Sequence, residues 1–194
     1  MSRCRRSRRS AAMRKLLHAI LLGLLGAGIV HVVVLLLVPG FSERDAWSRL
    51  AMASDLYRMT RLDAEAGGAP VVKSVDPLFY AAACRFDLSE GMVRVKAPGN
   101  VPFWSASVYD RGGHNIYSFN DHTATGKVLD TIVLTPAQMI EIRKDLPEEL
   151  QGAIFVEAPI DEGMFVVRSF VPDDSWKPVV SRFLEQSSCE LQDY

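Results

Sequence analysis

Trp104-Ser105-Ala106-Ser107-Val108-Tyr109-Asp110-Arg111-Gly112-Gly113-His114-Asn115-Ile116-Tyr117-Ser118-Phe119 is the stretch whose reading decides the fold. Trp104, Ala106 and Val108 alternate with Ser105, Ser107 and Tyr109, the period of a strand with one face on a core. Asp110-Arg111-Gly112-Gly113 then leads into a second run, Asn115 to Phe119. Asp and Gly between two such runs make a β-hairpin, because Gly accepts the positive φ that tight turns require.

The pattern repeats on both sides of this hairpin. Phe79 to Leu88 reads as a strand with Cys84, Phe86 and Leu88 on one face, and Ser89-Glu90-Gly91 turns it into Met92 to Lys96. The two are expected to form a hairpin. A further strand is read at Lys127 to Leu134, and a third hairpin is expected from Ala153–Ala158 and Met164–Phe170 around Asp161-Glu162-Gly163. Thr135-Pro136-Ala137-Gln138 is a capping box with Pro at the first helical position, opening a short helix to about Asp145. Trp176, Val179, Val180, Phe183 and Leu184 recur at helical spacing. Ser42 or Glu43 opens another helix, to about Met59, with Trp47, Leu50, Ser54 and Tyr57 on one side. Residues 62–70 and Asp76-Pro77 read as loop and turn. The fold class is mainly β (α+β): an antiparallel β-sandwich or partial barrel with peripheral helices, plus one N-terminal transmembrane helix.

That last element rests on residues 16–38, an almost unbroken apolar run. As a helix these 23 residues cover roughly 34 Å, enough for a ~30 Å hydrocarbon core. Arg3, Arg5, Arg6, Arg8, Arg9, Arg14 and Lys15 precede it, with no acidic residue. Basic flanks stay in the cytoplasm, so the reading is a single-pass bacterial inner-membrane protein with the C-terminal domain in the periplasm. A cleaved signal peptide would have a shorter core and a small-x-small exit, whereas Leu37-Val38-Pro39-Gly40-Phe41 offers none. Ser7-Arg8-Arg9 hints at a twin-arginine signal, but Ser10-Ala11-Ala12 lacks the apolar bulk that follows one. A mitochondrial presequence is amphipathic and does not lead into a full-length span. Met13 is an alternative start. The organisation is therefore a basic tail at 1–15, a span at 16–38 and an exported β-rich domain at 40–194.

The charge divides at the span. The whole chain carries −1, yet the part after Pro39 keeps all 23 acidic residues and only 15 of the 22 basic ones, about −8. An acidic domain argues against nucleic acid as a partner. Within the span, Ala19, Gly23, Ala27 and His31 recur every fourth residue. Small residues at that spacing let membrane helices approach, and a polar group there can bond across the contact. Cys84 and Cys189 are the two thiols on the exported side. In an oxidising compartment they can pair; otherwise Cys84 is a small buried hydrophobe and Cys189 a free tail thiol.

Chemistry is harder to find. The chain has no phosphate loop, nucleophile elbow, Cys-x-x-Cys or His-Glu-x-x-His motif. The densest polar cluster is the hairpin region. Asp110, His114, Asp121 and His122 have the chemistry of metal ligands or of acid and base groups. Their spacing matches no defined metal motif, and solvated turn residues explain all four without any ligand. Tyr109, Tyr117 and Phe119 are expected on one face of the ribbon, packing across the strands.

Val101-Pro102-Phe103-Trp104-Ser105-Ala106-Ser107-Val108-Tyr109-Asp110, with Asn115 to Asp121, resembles the bacterial domain of unknown function numbered 1254. Asp76-Pro77, Cys84, Thr135 to Met139 and the tail helix ending at Cys189 fit the short, membrane-anchored, rhizobial-type members of that family. The resemblance covers roughly residues 13–190. It implies a largely β, sandwich-like domain and a companion carrying the related domain numbered 1214. That companion is expected to be a separate polypeptide, with a homodimer as the alternative. The family supplies no accepted reaction and no catalytic residues. The expected role is an assembly or binding module of the cell envelope, without a cofactor and leaning away from catalysis. The alternative is an exported ligand-binding protein or hydrolase using the His114/His122 region.

Overall fold

The computed structural model describes residues 3–62, 71, 76 and 78–192. It divides into two compact units, Met1–Ser42 and Glu43–Tyr194. Most of the expected 62–70 loop and Pro77 lie outside the described residues. Asp76 behaves as a turn residue: its carboxylate accepts the Leu78 N–H at 2.9 Å.

Helix α1 runs from Arg3 to Ala53 without a break at Pro39. A separate helix starting at Ser42 is therefore not found, and the helix stops well short of Met59. It stops because the chain finds other hydrogen-bond partners. Tyr57 turns to a φ of 57° and its N–H bonds to Arg85 O, while Leu56 bridges alongside Arg85. Within the first unit, Met13–Val38 has a mean hydropathy of 2.8 and none of it is buried. It is the one helix among the described residues long and apolar enough to cross a membrane.

The second unit is an α+β sandwich of two sheets. One sheet has the order β1 (Thr60–Arg61), β2 (Phe79–Asp87), β8 (Glu162–Phe170), β4 (Trp104–Asp110), β5 (Asn115–Asn120). The other has the order β7 (Ile154–Glu157), β6 (Leu129–Leu134), β3 (Met92–Ala97), β9 (Ser188–Gln192). All pairings are antiparallel except β6 with β7, which is parallel. The alternation read in the sequence sets the faces. Ala82, Cys84 and Phe86 meet Val93, Val95 and Leu129 in one core, together with Trp104, Ala106, Val108 and Phe165.

Two of the three expected hairpins are not hairpins. β2 already has β1 on one edge and β8 on the other, so β3 has no edge to join and crosses to the second sheet. Leu88 is buried at that corner, its N–H held by Asp161 O at 2.7 Å, and Asp87 caps Ser89. In the same way β8 lies between β2 and β4, so β7 stays in the other sheet beside β6. The β4–β5 hairpin forms as read, with Ala106 opposite Phe119 and Val108 opposite Tyr117.

Helix α2 (Pro136–Ile142) carries the full capping box. Gln138 bonds the Thr135 N–H, and its amide also reaches Leu88 O at 2.8 Å. With Met139 and Ile142 it covers Ile132, Leu134 and Met92 on the outer face of the second sheet. Helix α3 (Lys177–Glu185) buries Val180, Phe183 and Leu184 and packs against β2 and β8. On the outer face of the first sheet Leu50 of α1 meets Ala83 and Met164. Trp47 lies between the guanidinium groups of Arg85 and Arg111, 5.2 and 5.6 Å from its ring.

Candidate functional site

The polar residues singled out in the sequence all belong to the β4–β5 hairpin or its continuation, and the strand separates them. Asp110 ends β4 and His114 precedes β5. The Asp110 carboxylate accepts the His114 backbone N–H at 2.8 Å and lies 2.9 Å from ring Nδ1. Gly113, at φ 82°, closes the turn by donating to Asp110 O. Partial burial raises the Asp110 pKa. The bonds from the His114 backbone and ring outweigh it, with help from Gly112, and hold the carboxyl below its usual range. The His114 side chain is 70% exposed.

Asp121 and His122 follow the far end of β5. Six strand residues at ~3.3 Å each put them about 20 Å from the Asp110–His114 turn. Asp121 is 2% exposed. Its N–H donates to Trp104 O, and its Oδ2 lies 3.5 Å from Lys127 Nζ. Its Oδ1 is buried with no hydrogen-bond partner in the chain. His122 is 73% exposed, with Nε2 3.9 Å from Asp121 Oδ1. The four residues thus form two pairs at opposite ends of a strand. Among the described residues no group of three or more His, Cys, Asp or Glu is placed to hold a metal ion.

The aromatics also divide. Tyr117 and Phe119 lie on the inner face with Val108 and Ala106, their ring centroids 5.9 Å apart. Tyr109 instead packs with Leu50, Ala83 and Met164 on the outer face. The alternation of Tyr109 with Val108 already places it on the opposite face, and a register shift lies between the two.

Cys84 on β2 and Cys189 on β9 face each other across the two sheets, with Cα atoms 6.4 Å apart and sulfurs at bonding distance. Ala19, Gly23, Ala27 and His31 are exposed along α1, and a Cβ on Gly23 would meet nothing within 4 Å.

Three features were not legible in the sequence. β9 is too short and mixed to read as a strand. Arg94 is buried on the outer face of β3 and grips Asp130 with two bonds, 2.9 and 2.7 Å, plus Glu149 O at 2.9 Å. A cleft of about 590 Å³ beside α2 is floored by Met92, Ile142 and Leu150 and edged by Asp145 and Glu149. Only an acidic stretch, Asp145 to Glu149, hinted at it.

A match to the family described as "Protein of unknown function (DUF1254)" covers residues 56–190, which includes both sheets and both cysteines. The chain belongs to the DUF1254 family. The DUF1254 fold recurs in the crystal structure of the VPA0106 protein from Vibrio parahaemolyticus, with a TM-score of 0.54 and 12% identity over 78% of this chain. It also recurs in an uncharacterised protein from Burkholderia cenocepacia, with a TM-score of 0.50 and 12% identity over 77% of this chain. This chain spans 35% and 38% of those two proteins, so in each the fold is part of a longer polypeptide. No curated protein matches the chain.

Proposed function

We propose that this DUF1254 protein is a short, membrane-anchored assembly module of the bacterial cell envelope. Its N-terminus is cytoplasmic, Met13–Val38 crosses the inner membrane, and the β-rich domain works in the periplasm. The observation that carries this reading is that Met13–Val38 is strongly apolar and wholly uncovered. A side-chain surface such as Leu16, Leu21, Leu25, Ile29 and Leu36 is solvated well by lipid and poorly by water. The arginine-rich, acid-free flank supports the inward orientation of the N-terminus. Sulfurs brought together at Cys84 and Cys189 suit an oxidising compartment.

The module works by bringing proteins together. Its partner is a separate chain with the related domain numbered 1214, or a second copy. The line Ala19, Gly23, Ala27 and His31 is one contact surface. Alkaline carbonate washing of membranes from expressing cells tests the anchor. The protein should stay in the pellet, and a variant lacking residues 16–38 should be released. Release of the intact protein would remove the anchor from the account. For the contact, Gly23→Leu should reduce co-purification of the partner while the domain stays folded.

A further inference from the structure

The first sheet turns Ala83 and Met164 outward under Leu50 of α1, and the same face runs on beyond them. Side chains alternate along a strand. Phe79 and Ala81 therefore share this face with Ala83, and Val166, Arg168 and Phe170 share it with Met164. The register sets them in rows. Ala81, Arg168, Ser105 and Asn120 lie side by side across β2, β8, β4 and β5. On one side of that row come Ala83, Val166, Ser107 and Ser118. On the other come Phe79 and Phe170, their ring centroids 5.4 Å apart. Phe103 lies beside Phe170, its carbonyl accepting the Phe170 N–H at 3.0 Å.

Arg168 is exposed, and among the described residues its guanidinium makes no hydrogen bond or ion pair. The domain carries about −8, and other cations in it are taken up by acids: Arg94 by Asp130, Arg111 by Glu162, Lys144 by Glu141 and Lys177 by Asp174. Arg168 has no acid beside it. Its neighbours across the strands are Ala81 and Ser105, and along its own strand Val166 and Phe170. Neighbouring positions in a row are about 5 Å apart, within reach of one small ligand group. Ser105 offers a hydroxyl there. Asn120, whose Oδ1 accepts the His122 N–H at 3.1 Å, offers its Nδ2. A guanidinium flanked by such donors matches a carboxylate. Phe79 and Phe170 are partly exposed and belong to none of the buried apolar clusters among the described residues. They stand one row away, about 7 Å along the strands.

We propose that this face binds a small organic carboxylate with an aromatic or aliphatic body. Arg168 holds the carboxylate, Ser105 and Asn120 add hydrogen bonds, and the body lies along Phe79 and Phe170. Charge selects this occupant: a cation would be repelled by Arg168, and a purely apolar ligand would take water from the guanidinium without replacing it. The site goes beyond the assembly reading and does not depend on the membrane topology.

Saturation-transfer NMR on the full-length protein in mild detergent tests it, with 4-phenylbutyrate as the probe and empty micelles subtracted. The ring protons should receive saturation from the protein. Arg168→Gln should cut that transfer about fivefold or more, and Arg168→Lys should restore part of it, with Trp fluorescence showing an intact fold in each. Butyrate, which lacks the ring, and 4-phenylbutylamine, which carries the opposite charge, should each compete about tenfold more weakly than unlabelled probe. Transfer that is absent from the parent protein, unchanged by Arg168→Gln, or suppressed as well by butyrate or the amine would overturn the proposal whatever the anchor test returns.

Discussion

Cys84 and Cys189, separated by 105 residues in sequence, meet across the core and tie the edge strand β9 to the opposite sheet. β9 has only β3 as a strand partner, so this link is what holds the end of the chain to the first sheet. A bond that closes so long a loop restricts the unfolded chain strongly. Cys189→Ser should lower unfolding stability by about 2–5 kcal/mol. Urea denaturation with and without reductant measures it, and reductant should have no further effect on the variant.

Asp110 gives a pH signature of definite sign. Its folded pKa lies below the unfolded value, so its contribution to stability is complete above that unfolded value, about 4. It is lost as pH falls through the lower folded value. Asp110→Asn should lower stability near neutrality, where that contribution is complete, and flatten the profile in the acid window. Carboxyl titration by NMR should place Asp110 below the usual aspartate range.

Arg94 is buried and answers Asp130 and Glu149 O together, so its removal strands two acceptors. Asp130 stays one-quarter exposed, which limits the loss. Arg94→Ala should cost about 1–3 kcal/mol. Thermal unfolding checks it, and Arg94→Ala with Asp130→Ala should cost less than the two singly added.

Gly163 tests the packing where β8 passes β2 and β4. A Cβ there would lie 2.6 Å from Phe86 Cζ and 2.7 Å from Tyr109 O, and a backbone carbonyl cannot yield as a side chain can. Gly163→Ala should destabilise by about 1–3 kcal/mol. A variant as stable as the parent would show that the strands have room to shift.

How much of this was readable depends on the range of the interactions. The Trp104–Phe119 hairpin, the Thr135 capping box and the Val180/Phe183/Leu184 face are local patterns, and each lies where the sequence puts it. Ser89-Glu90-Gly91 is also a local signal and marks a turn, whereas Glu162 and Gly163 are taken into β8 opposite Asp87 and Phe86. Whether the chain returns to its own sheet or crosses to the other is decided by which edges β2 and β8 have left. That depends on strands far away in sequence. The four candidate site residues are separated for a related reason. Asp110, His114, Asp121 and His122 are close in sequence, but an extended strand places its two ends as far apart as so few residues allow.

The central claim is the sidedness of an anchored domain, and cysteine labelling in intact cells addresses it most directly. An Asn115→Cys variant offers a thiol at the exposed turn end of β5, while Cys4 lies in the arginine-rich tail. With the outer membrane permeabilised, a membrane-impermeant maleimide should label position 115 at once and Cys4 only after lysis. Labelling of Cys4 in intact cells, or protection of position 115 until lysis, would contradict the account.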